Sequence, residues 1–100
     1  SSDLEAVASA PGVSDAACVA VTDGEGFQRL AVFITARDDP AAAVRNAGQA
    51  CEARLPRHKR PKWIRSVDEL PRTATGKVQR YKLRALLESE LGNRARDSKP

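Results

Sequence analysis

Ala16-Ala17-Cys18-Val19-Ala20-Val21-Thr22, the short link Asp23-Gly24-Glu25-Gly26-Phe27, and Gln28-Arg29-Leu30-Ala31-Val32-Phe33-Ile34-Thr35 form the stretch on which the fold turns. Two apolar runs around a Gly-rich turn at 23 to 26 predict an antiparallel hairpin. The runs are apolar at nearly every position rather than alternating, so both faces of the hairpin must be covered. Helices have to supply that cover.

Working outward, the pattern provides them. Ser2 with Glu5 reads as a capping box that opens a helix, with Leu4, Val7 and Ala8 on one face and Pro11-Gly12 closing it. After the hairpin, Asp39 is an expected N-cap and Pro40 the first helical residue. That helix presents Val44, Ala47, Cys51 and Leu55 on one side and stops before Pro56. A third strand is expected around Trp63 to Val67. A last helix from about Gln79 places Leu83, Leu86, Leu87 and Leu91 on one stripe, with Gly92-Asn93 as its C-cap. The fold class is α+β, a small, mainly three-stranded sheet flanked by helices, with residues 1–92 as the domain and 93–100 as a flexible tail. At 100 residues this is one small domain with little surface for a deep site of its own.

One segment points to chemistry: Leu70-Pro71-Arg72-Thr73-Ala74-Thr75-Gly76-Lys77-Val78-Gln79-Arg80. Small residues let the backbone approach a ligand, and Lys77 puts a compact charge on a flexible stem that reaches phosphate or carboxylate oxygens. A Gly-Lys pair behind a Pro-bounded loop is by itself an ordinary solvated turn. It is not a nucleotide-hydrolase phosphate loop, which needs an earlier glycine and a Ser or Thr after the lysine.

Charge narrows the partners. Residues 1–50 hold 3 basic and 7 acidic side chains, and 51–100 hold 14 basic and 6 acidic. Between Arg54 and Arg84 there are 11 Lys or Arg against Asp68 and Glu69, a density that attracts a polyanion. Four aromatic residues are too few for single-strand stacking platforms and no duplex-binding motif is present, so no nucleic-acid partner is expected. Cys18 and Cys51 read as small core hydrophobes, no Cys/His cluster suggests a metal, and His58 reads as solvated. Ala16 to Val21 is too short to span a bilayer and no basic leader precedes it, so no membrane association and a cytoplasmic location are expected.

The run from Leu55-Pro56-Arg57-His58-Lys59-Arg60-Pro61-Lys62-Trp63-Ile64 through Val67-Asp68-Glu69-Leu70-Pro71 to Arg80-Tyr81-Lys82-Leu83-Arg84 resembles the C-terminal segment of acyl-CoA synthetases. In that adenylate-forming family the pattern is approximately K-x-P-x-x-I-x-F-V-x-x-L-P-x-T-x-x-G-K-I-x-R-x-x-L-R. Ser2 to Val7 through Pro11 to Val21 is similar to the family's E-x-x-L-x-x-h-P-x-V-x-E-A-A-V-V-G-V segment. The turn Asp23 to Phe27 is most similar to benzoate-CoA ligase and other aryl-CoA ligases.

The resemblance implies a mobile C-terminal lid domain of an ATP-dependent carboxylate-CoA ligase for an aryl or acyl acid. The partners it implies are the enzyme's own N-terminal domain, ATP with Mg2+, the carboxylic acid and CoA. The N-terminal domain, the hinge and the pantetheine-tunnel glycine would lie before Ser1, so the fragment alone is expected to be inactive and to bind no cofactor. By the same resemblance Lys77 is the catalytic lysine of acyl-adenylate formation. Gly76, Thr75, Thr73 and Pro71 support its loop, and Arg54, Arg57, Lys59 and Arg60 are candidates for contacts to CoA phosphates. Relatives are switched off by acetylation of the corresponding lysine, which implies an acetyltransferase and a deacetylase as further partners. A carrier-protein-loading adenylation domain and a non-enzymatic basic binding module are the alternatives.

Overall fold

A computed structural model describes the backbone of residues 2–97 and the side chains of residues 4–92. The elements run α1 (Ser2–Ala8), β1 (Val13–Thr22), β2 (Gln28–Ala36), α2 (Pro40–Arg54), a 3-10 turn (Arg57–Lys59), β3 (Trp63–Ser66) and α3 (Arg80–Asp97). The sheet has the order β1-β2-β3, with β1 antiparallel to β2 and β3 parallel to it. A parallel neighbour requires a crossover, and α2 with the 3-10 turn supplies it.

The hairpin is covered on both faces, and period-two alternation sorts its residues between two cores. Ala16, Val32 and Ile34 point to one core with Val7, Ala43, Ala47, Cys51 and Leu55 from α1 and α2; half-buried Cys18 packs against it. Ala17, Val19, Val21, Ala31 and Phe33 point to the other, closed by Leu70 and by Leu83 and Leu87 of α3. The pairing slips between Val13 and Asp15, a β-bulge that lets Val13 and Ala16, three residues apart, share the first face.

Local chemistry accounts for the ends of α2. Asp39 accepts hydrogen bonds from the Ala41 and Ala42 N–H groups at 3.1 and 3.4 Å, Pro40 fills the first turn, and Leu55 closes the helix before Pro56. Ala43 rather than Val44 is the fully buried residue on this face of α2, and Val44 packs at the margin of the core.

Three expectations differ from the structure. Leu86 is 56% exposed, whereas Leu83 and Leu87, one turn apart, are buried in the second core and Leu91 packs against it. α3 continues through Gly92-Asn93 to Asp97, past the boundary expected for the tail, because a glycine ends a helix only where the backbone turns left-handed, and Gly92 does not. α1 already includes Ser2, so the expected N-cap is a helical residue there, and its side chain lies outside those described.

The free edge of β1 meets α3 through backbone carbonyls. Arg80 Nε donates to Cys18 O at 3.0 Å and Arg84 Nε to Ala20 O at 2.8 Å, so two residues one turn apart on α3 cap that edge. Among the described residues no helix is long and apolar enough to cross a membrane.

Candidate functional site

Lys77 closes a hydrogen-bonded ribbon between β3 and α3. Arg72 bridges Val78 in antiparallel fashion, and Gln79 N–H donates to Pro71 O at 2.8 Å. Leu70 and Val78, at the base, belong to the second core. At the tip, Thr73 N–H donates to Lys77 O at 2.8 Å and Gly76 N–H to Thr73 O at 2.9 Å. Gly76 has φ +92°, which completes a three-residue hairpin loop of the kind that needs a left-handed residue there. The loop is therefore internally braced.

Thr73 and Thr75 add to the bracing. Thr73 Oγ1 accepts from Lys77 N–H at 3.1 Å and lies 3.0 Å from Thr75 Oγ1. Every residue from Arg72 to Lys77 is exposed. Among the described residues the Lys77 ammonium has no ion-pair partner, although acidic residues are available elsewhere on the surface. The geometry is a cation held out from the protein on a shaped tip.

A second feature lies at the other end of the sheet. An open concavity of about 840 Å³ is lined by Arg29, Arg57, His58, Arg60 and Lys62, with Gln28 and Leu30 of β2 beneath them. Asp23 orders this rim: its carboxylate accepts from the N–H groups of Glu25 and Phe27, both at 2.9 Å, and pairs with Arg29 at 3.1 Å and Lys62 at 3.9 Å. The Phe27 N–H, then Arg29, the Glu25 N–H and Lys62, hold the Asp23 carboxyl below its usual value against a desolvation that pushes it up. Gly26, at φ +88°, forms the same turn here that Gly76 forms around Lys77, with Asp23 in the place of Thr73.

The four basic residues singled out from sequence do not act alike. Arg57 and Arg60 line the concavity, whereas Arg54 donates to Ser9 Oγ at 3.2 Å. Lys59 is exposed on the 3-10 turn and is not part of the concavity lining. Arg60 is already engaged, donating to Leu55 O and Glu52 O at 3.0 Å each and so satisfying carbonyls at the end of α2. Arg29, His58 and Lys62 also line the concavity, and the sequence pattern does not single them out. Arg29 sits in a strand far from the basic run in sequence, and only the pairing of β2 with β3 brings it beside Lys62.

Two ends of one sheet separate these features. Arg72 meets Asp15, which pairs with Thr35 near the end of β2, while the concavity lies at Gln28 to Leu30. Seven strand residues at ~3.3 Å each put them roughly 23 Å apart along the sheet. Among the described residues no group of three or more His, Cys, Asp or Glu is arranged to hold a metal.

The AMP-binding enzyme C-terminal domain family matches residues 5–77, ending on Lys77. The chain is 42% identical over 94 residues to a 3-hydroxybenzoate--CoA/4-hydroxybenzoate--CoA ligase of Thauera aromatica, covering 89% of this chain and 18% of that protein. It is 40% identical over 92 residues to a 3-hydroxybenzoate--CoA ligase of Aromatoleum sp. (strain CIB), covering 88% and 18%. Among solved structures, an anthranilate CoA ligase in complex with anthranoyl-AMP superposes with a TM-score of 0.74 at 32% identity over 85% of this chain and 17% of that one. A benzoate CoA ligase from Burkholderia xenovorans LB400 gives a TM-score of 0.72 at 32% identity, over 83% and 17%. The chain thus spans less than a fifth of the length of these relatives. An exposed lysine on a braced tip, the match that runs up to it, and the shared three-stranded fold agree: the chain belongs to the AMP-binding enzyme C-terminal domain family, and its relatives in sequence and structure are acyl- and aryl-CoA ligases of the adenylate-forming superfamily.

Proposed function

We propose that this chain is the mobile small domain of an ATP-dependent carboxylate-CoA ligase and that it delivers Lys77 to the acyl-adenylate-forming step. The observation that carries the reading is the Lys77 ammonium, exposed and without an ion-pair partner among the described residues, on a tip whose shape is set by hydrogen bonds. In that step a carboxylate attacks the α-phosphate of ATP, the new C–O–P linkage forms, and pyrophosphate leaves. Two anionic groups must approach, so a cation placed between them both orients the acid and stabilises charge on the reacting oxygens. Such a donor contributes roughly 3–4 kcal/mol, or two to three orders of magnitude in rate. Mg2+ enters with ATP in this scheme rather than on ligands of this domain. The relatives named above are ligases of hydroxybenzoate, anthranilate and benzoate, which supports an aryl acid as the substrate class.

Thioester formation needs a different arrangement, because the CoA thiol must reach the acyl carbon that the first arrangement covers. The separation of Lys77 from the basic concavity supports an alternation in which the domain turns one end and then the other toward the large domain. Arg57, with Arg29, His58 and Lys62 beside it, is the proposed contact for CoA phosphates. Arg60 contributes while it caps α2. Acetylation of the exposed Lys77 would remove the charge that the first step requires.

The test is a split of the two half-reactions in the full-length ligase. Lys77→Ala should lower adenylate formation roughly 100- to 1,000-fold and leave thioester formation from supplied acyl-adenylate near wild type. Arg57→Ala should show the opposite pattern, with a raised KM for CoA. Equal loss of both steps in Lys77→Ala would refute the division of labour.

A further inference from the structure

Among the described residues, the Arg72 guanidinium ties the tip that carries Lys77 to the sheet. Arg72 Nη1 donates to Gly76 O at 2.7 Å, and Nη2 donates to the Asp15 carboxylate. The hydrogen bonds among Thr73, Gly76 and Lys77 give the tip its shape but all lie within the tip, and the core contacts of Leu70 and Val78 hold only the base of the ribbon. Arg72 is where the loop's hydrogen bonding reaches the sheet. Its partner lies 57 residues away, beside the β-bulge at the start of β1. Because the bulge absorbs one residue, Asp15 pairs with Thr35 and falls in alternation with Ala17, on the face that carries α3 and the base of the loop.

We infer that Arg72 and Asp15 are positioning residues for Lys77: the planar fork of Arg72 holds the Gly76 carbonyl and the Asp15 carboxylate at once, and so sets where the ammonium arrives. This rests on the reading that Lys77 acts in adenylate formation. The chemistry of arginine fits the task, since its donors lie in a fixed plane and can join two acceptors in set directions. A lysine keeps the attraction to Asp15 but loses that geometry. Fold stability is a poor explanation for the pair, because its side chains are 42% and 44% exposed and solvent-exposed ion pairs contribute little. Placement is where it acts, and misplacing a catalytic group by about 1 Å is enough to cost on the order of 100-fold in rate.

The experiment uses the full-length ligase carrying Arg72→Ala, Arg72→Lys, Asp15→Asn, the Asp15→Asn/Arg72→Ala double substitution, and Lys77→Ala. Pyrophosphate release reports adenylate formation, and thioester formation from supplied acyl-adenylate reports the second step. Arg72→Ala should lower kcat for adenylate formation roughly 10- to 100-fold, with KM for ATP, thermal midpoint and the second step near wild type. Arg72→Lys should fall between Arg72→Ala and wild type, and the double variant should be no slower than Arg72→Ala, as expected for groups acting as one unit. A wild-type adenylation rate in Arg72→Ala, an equal loss of both steps, or additive losses in the double variant would each overturn the inference. If Lys77→Ala is defective while Arg72→Ala is not, positioning alone fails; if Lys77→Ala adenylates normally, the underlying reading fails with it.

Discussion

Alanine at Gly76 separates two reasons for a glycine at that position, a need for backbone freedom and a need for empty space. Gly76 has φ +92°, and a Cβ built there meets no heavy atom within 4 Å. In the 100-residue chain the cost of Gly76→Ala is therefore conformational alone, about 1–2 kcal/mol for an L-residue in the left-handed region. Gly26 is an internal control, with φ +88°, the same turn and the same open surroundings. Urea unfolding should give both variants losses of about 1–2 kcal/mol, and each kcal/mol should lower Tm by roughly 4–8 °C in a domain of this size. Activity should then part them. In the full-length ligase Gly76→Ala slows adenylate formation, because its turn presents Lys77, while Gly26→Ala leaves that step untouched. Asparagine, which tolerates the left-handed region better, should recover part of the stability at both sites. A Gly76→Ala loss well beyond that of Gly26→Ala would show that the position does more than turn the chain. Equal adenylation rates in the two alanine variants would show that the shape of the tip is irrelevant to Lys77.

The structure makes further predictions about packing, charge and the sheet edge. Leu83 is 0% exposed and Leu86 56% exposed; Leu83→Ala should cost about 2–5 kcal/mol and Leu86→Ala a small fraction of that, as chemical denaturation of the two variants will read directly. The fold depresses the Asp23 carboxyl below 3.8, so its contribution is complete above that value and is lost as pH falls through the lower folded value. The stability gap between wild type and Asp23→Asn, measured by urea melts, should accordingly stay constant near neutrality and close in acid; a gap that widens on acidification contradicts the assignment. Removing Arg80 and Arg84 together uncovers the Cys18 and Ala20 carbonyls on the free edge of β1. Sedimentation of that double alanine variant should show concentration-dependent self-association that wild type lacks.

Where neighbouring residues decide the outcome, the sequence was readable. The hairpin, the Asp39-Pro40 start and Leu55 end of α2, and the position of Lys77 in a turn before the last helix all follow from side chains acting on the backbone within a few residues. Where distant elements must meet, it was not. Leu86 and Leu87 are equally apolar, yet only the docking angle of α3 buries one and exposes the other. Arg60 looks like any surface cation until the end of α2 is brought to it.

What the sequence by itself determined was the set of elements, the caps of α2 and the turn that carries Lys77, because those depend on short-range sterics and hydrogen bonding. Tertiary structure alone decided that β3 joins β2 in parallel, that Arg29 and Lys62 converge on Asp23, and that Asp15 receives Arg72 from 57 residues away. Such contacts depend on how whole surfaces fit together, and the identity of a residue carries no record of which distant surface it will face.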